Sequence, residues 1–156
     1  EIRIIQERPD FSKHMRTKKV NRYYCDFCKK AGCGKAAMMK HELHCTLNPS
    51  RVCGMCQQLS QSQPSLVSLT EILPNPEQYK KIEKVFLNFE AVSYEGFDKA
   101  FMAVLPELRR RAGDCPACIL SAIRQAQIPV YMAEGFDYKK EVEEFWKAIN
   151  IPELVR

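Results

Sequence analysis

Histidine is scarce in this 156-residue chain, with only His14, His41 and His44. Little is therefore left for general acid–base chemistry, and no pair of carboxylates is singled out by spacing, so the expectation is a protein without catalytic activity. Long apolar runs are missing too. None approaches the roughly 20 residues that a membrane-spanning helix needs, and no membrane association is expected. The opening segment EIRIIQERPDFSKHMR is charged and lacks a continuous apolar stretch, unlike a secretory signal, and the lack of an initiator Met reads as a processed or trimmed start. There is no glycine-rich phosphate loop, and no small-molecule substrate is expected.

Cysteine, by contrast, is plentiful. Six of the eight form three C-x-x-C pairs, Cys25/Cys28, Cys53/Cys56 and Cys115/Cys118, with Cys33 and Cys45 outside them. A disulfide framework favours cysteines scattered along an exported chain. Close pairs without a signal sequence fit metal binding in a reducing compartment, so an intracellular protein of cytoplasm or nucleus is expected. An apolar content of 46% and a charged content of 28% belong to a globular chain, not a disordered tail. The net charge of +5 is unevenly spread. Residues 1–52 hold 12 Lys+Arg against 5 Asp+Glu, whereas residues 53–156 hold 12 against 14. A field concentrated at one end favours a polyanionic partner there.

Along the chain, EIRIIQE reads as a short strand and residues 1–22 as a strand with a basic arm. YYCDFCKKAGCG reads as a knuckle and hairpin, and KAAMMKHELHC, free of Pro and Gly, as a helix that Asn48-Pro49 stops. Residues 23–50 thus form one small unit. In residues 51–156, QQLSQSQPSLVS reads as a polar, mobile connector. Asn75-Pro76-Glu77 is a helix start, followed by Tyr79, Ile82, Phe86 and Phe89 at helical spacing. A further helix carries Phe97, Phe101, Val104 and Leu108, with Pro106 expected to kink or divide it and Gly113 to end it. Asp114 is placed to cap the helix DCPACILSAIRQAQ. Asp137 is placed to start the last one, whose Val142, Phe145, Trp146 and Ile149 form an apolar stripe suited to a core. The fold class expected is α+β, mainly helical: a small zinc-stabilised finger plus a helical domain.

Twelve residues separate Cys28 from His41, and three separate His41 from Cys45. Two thiolates from a knuckle and residues i and i+4 from one helix face complete a zinc tetrahedron at about 2.3 Å from each sulfur. C-x2-C-x12-H-x3-C over residues 23–45 resembles the ββα zinc-finger family, with Cys in place of the last His. Tyr23 sits at the aromatic position before the first Cys, and Met38 at the apolar position before the first His. Gly32 stands where a core aromatic is usual, so a thin core is implied. His44, at i+3, and the spare thiol Cys33 are substitutes for Cys45 that spacing leaves open. Cys53, Cys56, Cys115 and Cys118 make the second ligand set, a Gly-containing knuckle joined to a helix N-terminus, which resembles a treble-clef site. Spacing leaves open whether the four meet within one chain or each pair meets a partner chain. Cys115-Pro116-Ala117-Cys118 also resembles the thioredoxin motif, but the charged LPELRRRAGD before it is not the buried strand that motif follows. Two zinc ions are expected.

Resemblance to the finger family places Gly34, Ala37 and Lys40 at base-reading positions, with Ala36 between them. Gly and Ala offer no bidentate contact, so direct readout is not expected. Arg16, Lys18, Lys19 and Arg22 precede the finger, and Lys29, Lys30, Lys35 and Lys40 lie within it, interleaved with Tyr23, Tyr24 and Phe27. Charges that neutralise phosphate, beside rings that stack on bases, suit DNA or RNA held by its backbone. H-E-L-H lacks the metalloprotease spacing. The reading is a non-catalytic zinc protein that binds nucleic acid and docks a protein partner. The alternative is an interaction adaptor or inhibitor whose zinc sites are purely structural.

Overall fold

A computed structural model of the chain describes residues 18–86 and 89–149. The strand expected at EIRIIQE and the basic-arm residue Arg16 lie outside the described residues. The architecture is α+β and mainly helical, with two separate two-stranded antiparallel sheets.

The finger is built from β1 (Tyr23–Tyr24), β2 (Ala31–Gly32) and α1 (Lys35–His44). Tyr23 stands opposite Gly32 and Tyr24 opposite Ala31, and Cys25 N donates to Lys30 O at 3.0 Å to close the knuckle. α1 forms where good helix formers run without Pro or Gly. Met38 is buried, and its Cε lies 3.5 Å from where a Cβ on Gly32 would stand. The methionine thus fills part of the space left by the missing core aromatic, and Tyr23 packs beside it.

The larger part contains α2 (Gly54–Gln58), α3 (Leu66–Thr70), β3 (Lys80–Phe86), β4 (Phe89–Tyr94), α4 (Phe97–Ala112), α5 (Pro116–Gln125) and α6 (Tyr138–Ile149). α5 is its axis, buried continuously from Pro116 to Ile123. Leu66 and Leu69 of α3 join Phe97, Phe101, Leu105 and Leu108 of α4 in the same core. The α4 residues recur at i, i+4, i+8 and i+11, so one face is apolar along its length. Gly113 ends α4 with a left-handed φ of 57°, and its N–H donates to the last-turn carbonyls of Arg109 and Arg110.

Several expectations are corrected. Lys80–Phe86 and Phe89–Tyr94 pair as the antiparallel strands β3 and β4, not as a helix. The Asn75 cap is used, its side chain accepting from Glu77 N at 3.0 Å, but only a 3-10 turn, Pro76–Gln78, follows. Cross-strand partners then decide: Ile82 faces Val92, and Lys84 faces Glu90. Such β-branched and opposite-charge pairs stabilise a ladder, and they outweigh a helical recurrence of four residues. Tyr79 still reaches the core, edge-on to Phe97 with centroids 5.6 Å apart. Pro106 does not divide α4, which runs through it with Pro106 on the exposed side, and Leu105, not Val104, is the buried position there. Asp114 does not cap α5; it adopts a left-handed φ of 55°, and Cys115 is the N-cap.

The polar connector is also more ordered than its composition suggests. α2 and α3 take up its ends. Gln63 accepts from Cys53 N at 2.5 Å and donates to Arg51 O at 2.9 Å, pinning the middle. Asp137 does start α6, accepting from Lys139 N and Lys140 N. The α6 stripe is only half-buried at Val142, Phe145 and Trp146, with Ile149 exposed, because α6 lies at the periphery against α5.

Candidate metal centres

The finger brings Cys25, Cys28, His41 and Cys45 together, one ligand atom from each lying within 4.8 Å of the others. Cys25 and Cys28 come from the knuckle. His41 faces inward from α1, its Nε2 3.2 Å from Cys28 Sγ, and Cys45 follows where the chain leaves the helix. Glu42 braces the pair of elements by accepting from Asp26 N at 3.0 Å. Burial raises the Cys25 thiol, but hydrogen bonds from the backbone N–H groups of Phe27 and Cys28 and from the Cys28 and Cys45 thiols together leave it lowered.

Neither substitute ligand is in the cluster. Cys33 is exposed. The His44 ring turns the other way, and its Nδ1 donates to Val52 O at 2.8 Å. Adjacent helix positions project at about 100° to one another, so i+3 and i+4 cannot both face the same point from one well-formed turn.

The second cluster unites Cys53, Cys56, Cys115 and Cys118 within one chain, again with all four sulfurs within 4.8 Å. Its two halves are built alike. Cys53 is the N-cap of α2 and Cys56 its third residue; Cys115 is the N-cap of α5 and Cys118 its third residue. The first pair therefore opens a helical turn, unlike the hairpin knuckle of a treble clef, and both helix starts direct their positive ends at the sulfurs. α5 follows α4 through Gly113, not a β-strand, so the thioredoxin context is absent here.

The donor sets fit zinc. Cys53–Cys115 and Cys56–Cys118 sulfurs are each 3.6 Å apart, far beyond a disulfide bond and near the spacing of about 3.8 Å that a tetrahedron of 2.3 Å bonds requires. All four are essentially excluded from solvent, at 0–2% exposure. By themselves the four thiols cannot all ionise. Hydrogen bonds from Cys115 and Cys118 hold Cys53 well below the usual thiol range, while burial and the Cys115 charge push Cys56 up to about 12. Cys118 is raised as well, by its hydrogen bonds to Cys115 and Cys53 and by burial. A bound dication supplies the charge that lets all four serve as thiolates. Two such clusters are consistent with two zinc ions.

A short link joins the centres. Val52 N donates to Leu43 O at 2.8 Å, and Asn48 Nδ2 donates to Glu42 O at 2.8 Å. From α5, Gln125 Nε2 reaches the carbonyls of Thr46 and Asn48 at 3.0 and 3.1 Å, and Arg124 Nη1 reaches Thr46 Oγ1 at 3.0 Å. Buried Arg51 donates to Ala117 O, inside the second C-x-x-C. The positioning roles of His44, Arg51, Gln63, Arg124 and Gln125 carry no sequence signal, because each partner is a backbone carbonyl, a backbone N–H or a lone hydroxyl.

Of the basic residues, Lys18, Lys19, Arg22, Lys29, Lys30, Lys35 and Lys40 are all exposed, as are Gly34, Ala36 and Ala37 on the helix. Tyr23 is half-buried in the finger core, whereas Tyr24 and Phe27 are exposed. No helix among the described residues is long and apolar enough to cross a membrane. The chain matches no family model, no curated protein and no solved structure.

Proposed function

We propose that the chain is a non-catalytic zinc protein that holds nucleic acid through the phosphate backbone, in an intracellular setting that keeps its thiols reduced. One observation carries this reading. The seven exposed cations on the finger side enter no ion pair among the described residues, whereas six of the eleven described cations from Lys80 to Lys147, namely Lys80, Lys81, Arg109, Arg110, Arg111 and Lys140, each pair with a glutamate. Charge left without an internal partner attracts an external polyanion. A catalytic role finds little support. His41 belongs to a metal cluster and His44 to a structural hydrogen bond, while His14 lies outside the described residues.

The test is a salt titration of binding. Each phosphate neutralised contributes about 0.9 to the log–log slope on duplex DNA and about 0.7 on single strands. With roughly four to six cations engaged, the slope is expected at about −4 to −5 on duplex. Replacing Arg16, Lys18, Lys19 and Arg22 with Ala flattens it without releasing zinc. No binding at low salt sinks the reading.

A second reading has its own observation. Met39 and Leu43, at i and i+4 on α1, are 61% and 48% exposed. That apolar ridge suits a protein partner, which the larger part could also help to hold. Loss of partner binding in Met39→Ser/Leu43→Ser, with nucleic-acid affinity unchanged or absent, would favour it.

A further inference from the structure

We infer that the nucleic acid is single-stranded, and that Tyr24 and Phe27 are the platforms on which its bases stack. The inference rests on the nucleic-acid reading above and narrows it to one substrate class. Tyr23 and Tyr24 are neighbours on β1, so their side chains leave opposite faces of the strand. Tyr23 turns to the core, packing with Met38, while Tyr24 is left 64% exposed. Phe27, between the two knuckle cysteines, is 40% exposed. A metal-centred finger with an underfilled core would gain by burying such rings, yet two of them stay outside.

Their setting is basic. Arg22 precedes the two rings, and Lys29 and Lys30 follow them within the same hairpin, all three exposed. Cations flanking an exposed ring let phosphates be neutralised while a base lies on the ring face. In a duplex that base face is already covered by its neighbours in the stack, so only an unpaired strand can use it. The helix gives duplex DNA little in return. Its exposed Ala36, Ala37, Met39 and Leu43 carry no hydrogen-bonding side chain for a base edge, which leaves Lys35 and Lys40 as its exposed donors. Every base has a π-face, so stacking of this kind is tolerant of sequence.

Zinc-loaded full-length protein can be titrated with fluorescein-labelled oligo(dT), oligo(U) and a duplex, each of about 20 nucleotides, a length that spans more than one stacking site. The expected result is tighter binding of one or both single strands than of duplex at the same salt. Tyr24→Ala and Phe27→Ala each weaken single-strand binding by roughly tenfold, since stacking on an aromatic ring is of that order. Tyr24→Phe restores it. The salt slope stays unchanged in all three, because no phosphate contact is removed, and unchanged zinc content shows that the finger is intact. Duplex bound as tightly as single strands, or ring variants that bind like the parent protein, overturns the stacking assignment and leaves the backbone reading standing. No binding to any of the three probes overturns both.

Discussion

The Arg51 guanidinium donates to the carbonyl of Ala117 at 3.3 Å, across 66 residues of sequence. Arg51 lies two residues before Cys53, and Ala117 lies between Cys115 and Cys118. One hydrogen bond therefore holds the two halves of the four-cysteine centre in register from outside the sulfurs. Ser121 Oγ donates to the same carbonyl at 2.6 Å, and the Arg51 Nε has no partner among the described residues, so Arg51 is buried at some cost to position this helix start.

Arg51→Ala is expected to lower stability by about 1–3 kcal/mol, the range for losing a buried hydrogen bond from a charged donor. Urea denaturation measures this, and timed zinc transfer to a coloured chelator should show one of two ions leaving faster. Equal stability and equal zinc retention would mean that the link is dispensable.

Purified protein should hold two zinc ions per chain by elemental analysis. Cys33 alone should react promptly with a thiol reagent, because it is exposed and outside both clusters. Cys25→Ser or His41→Ala should unfold the finger, since structural zinc contributes on the order of 10 kcal/mol in such modules. His44→Ala should keep both ions and lose only the bond to Val52, worth about 1 kcal/mol. Zinc lost from His44→Ala but kept by Cys45→Ser would reverse the ligand assignment.

Glu107 accepts from Arg110 and Arg111, and these two guanidinium groups hold its carboxyl down at about 2. A depressed carboxylate contributes its stability above its unfolded value, about 4.3, and loses it as pH falls through the folded value. The cluster lies at the surface, so salt should weaken it. A carbon-detected NMR titration should find Glu107 ionised through pH 4 in low salt. A midpoint at the ordinary glutamate value would contradict the pairing.

Both metal clusters were legible because zinc demands specific donors at specific spacings, and few side chains can supply them. α4 and α6 were legible from caps and apolar periodicity, whereas α5 was placed correctly from the wrong cap. The β3–β4 hairpin was not. Tyr79, Ile82, Phe86 and Phe89 satisfy a helical recurrence, while the signal for a ladder lies in Val92 and Glu90 on the other strand, which periodicity within one segment does not weigh. Asp114 misled for a local reason. Gly113 and Asp114 both take left-handed conformations, which shifts the helix start by one residue and gives the cap position to Cys115. The exposed half of the α6 stripe could not be foreseen either, since amphipathicity says which face is apolar and not how completely another element covers it.

The four-cysteine centre joins residues separated by 58 intervening positions, from Cys56 to Cys115, whereas the finger's four ligands all lie within residues 25–45. Treated as a cross-link, the larger centre restricts the unfolded chain by about 4 kcal/mol of loop entropy. It also sets an order of events. A chain made from its N-terminus can close the finger as soon as Cys45 is free, but the second set of thiols must wait for α3, the hairpin and α4 to follow. During that interval Cys53 and Cys56 are an unmatched pair, and the finger beside them is already a folded neighbour against which α5 later docks.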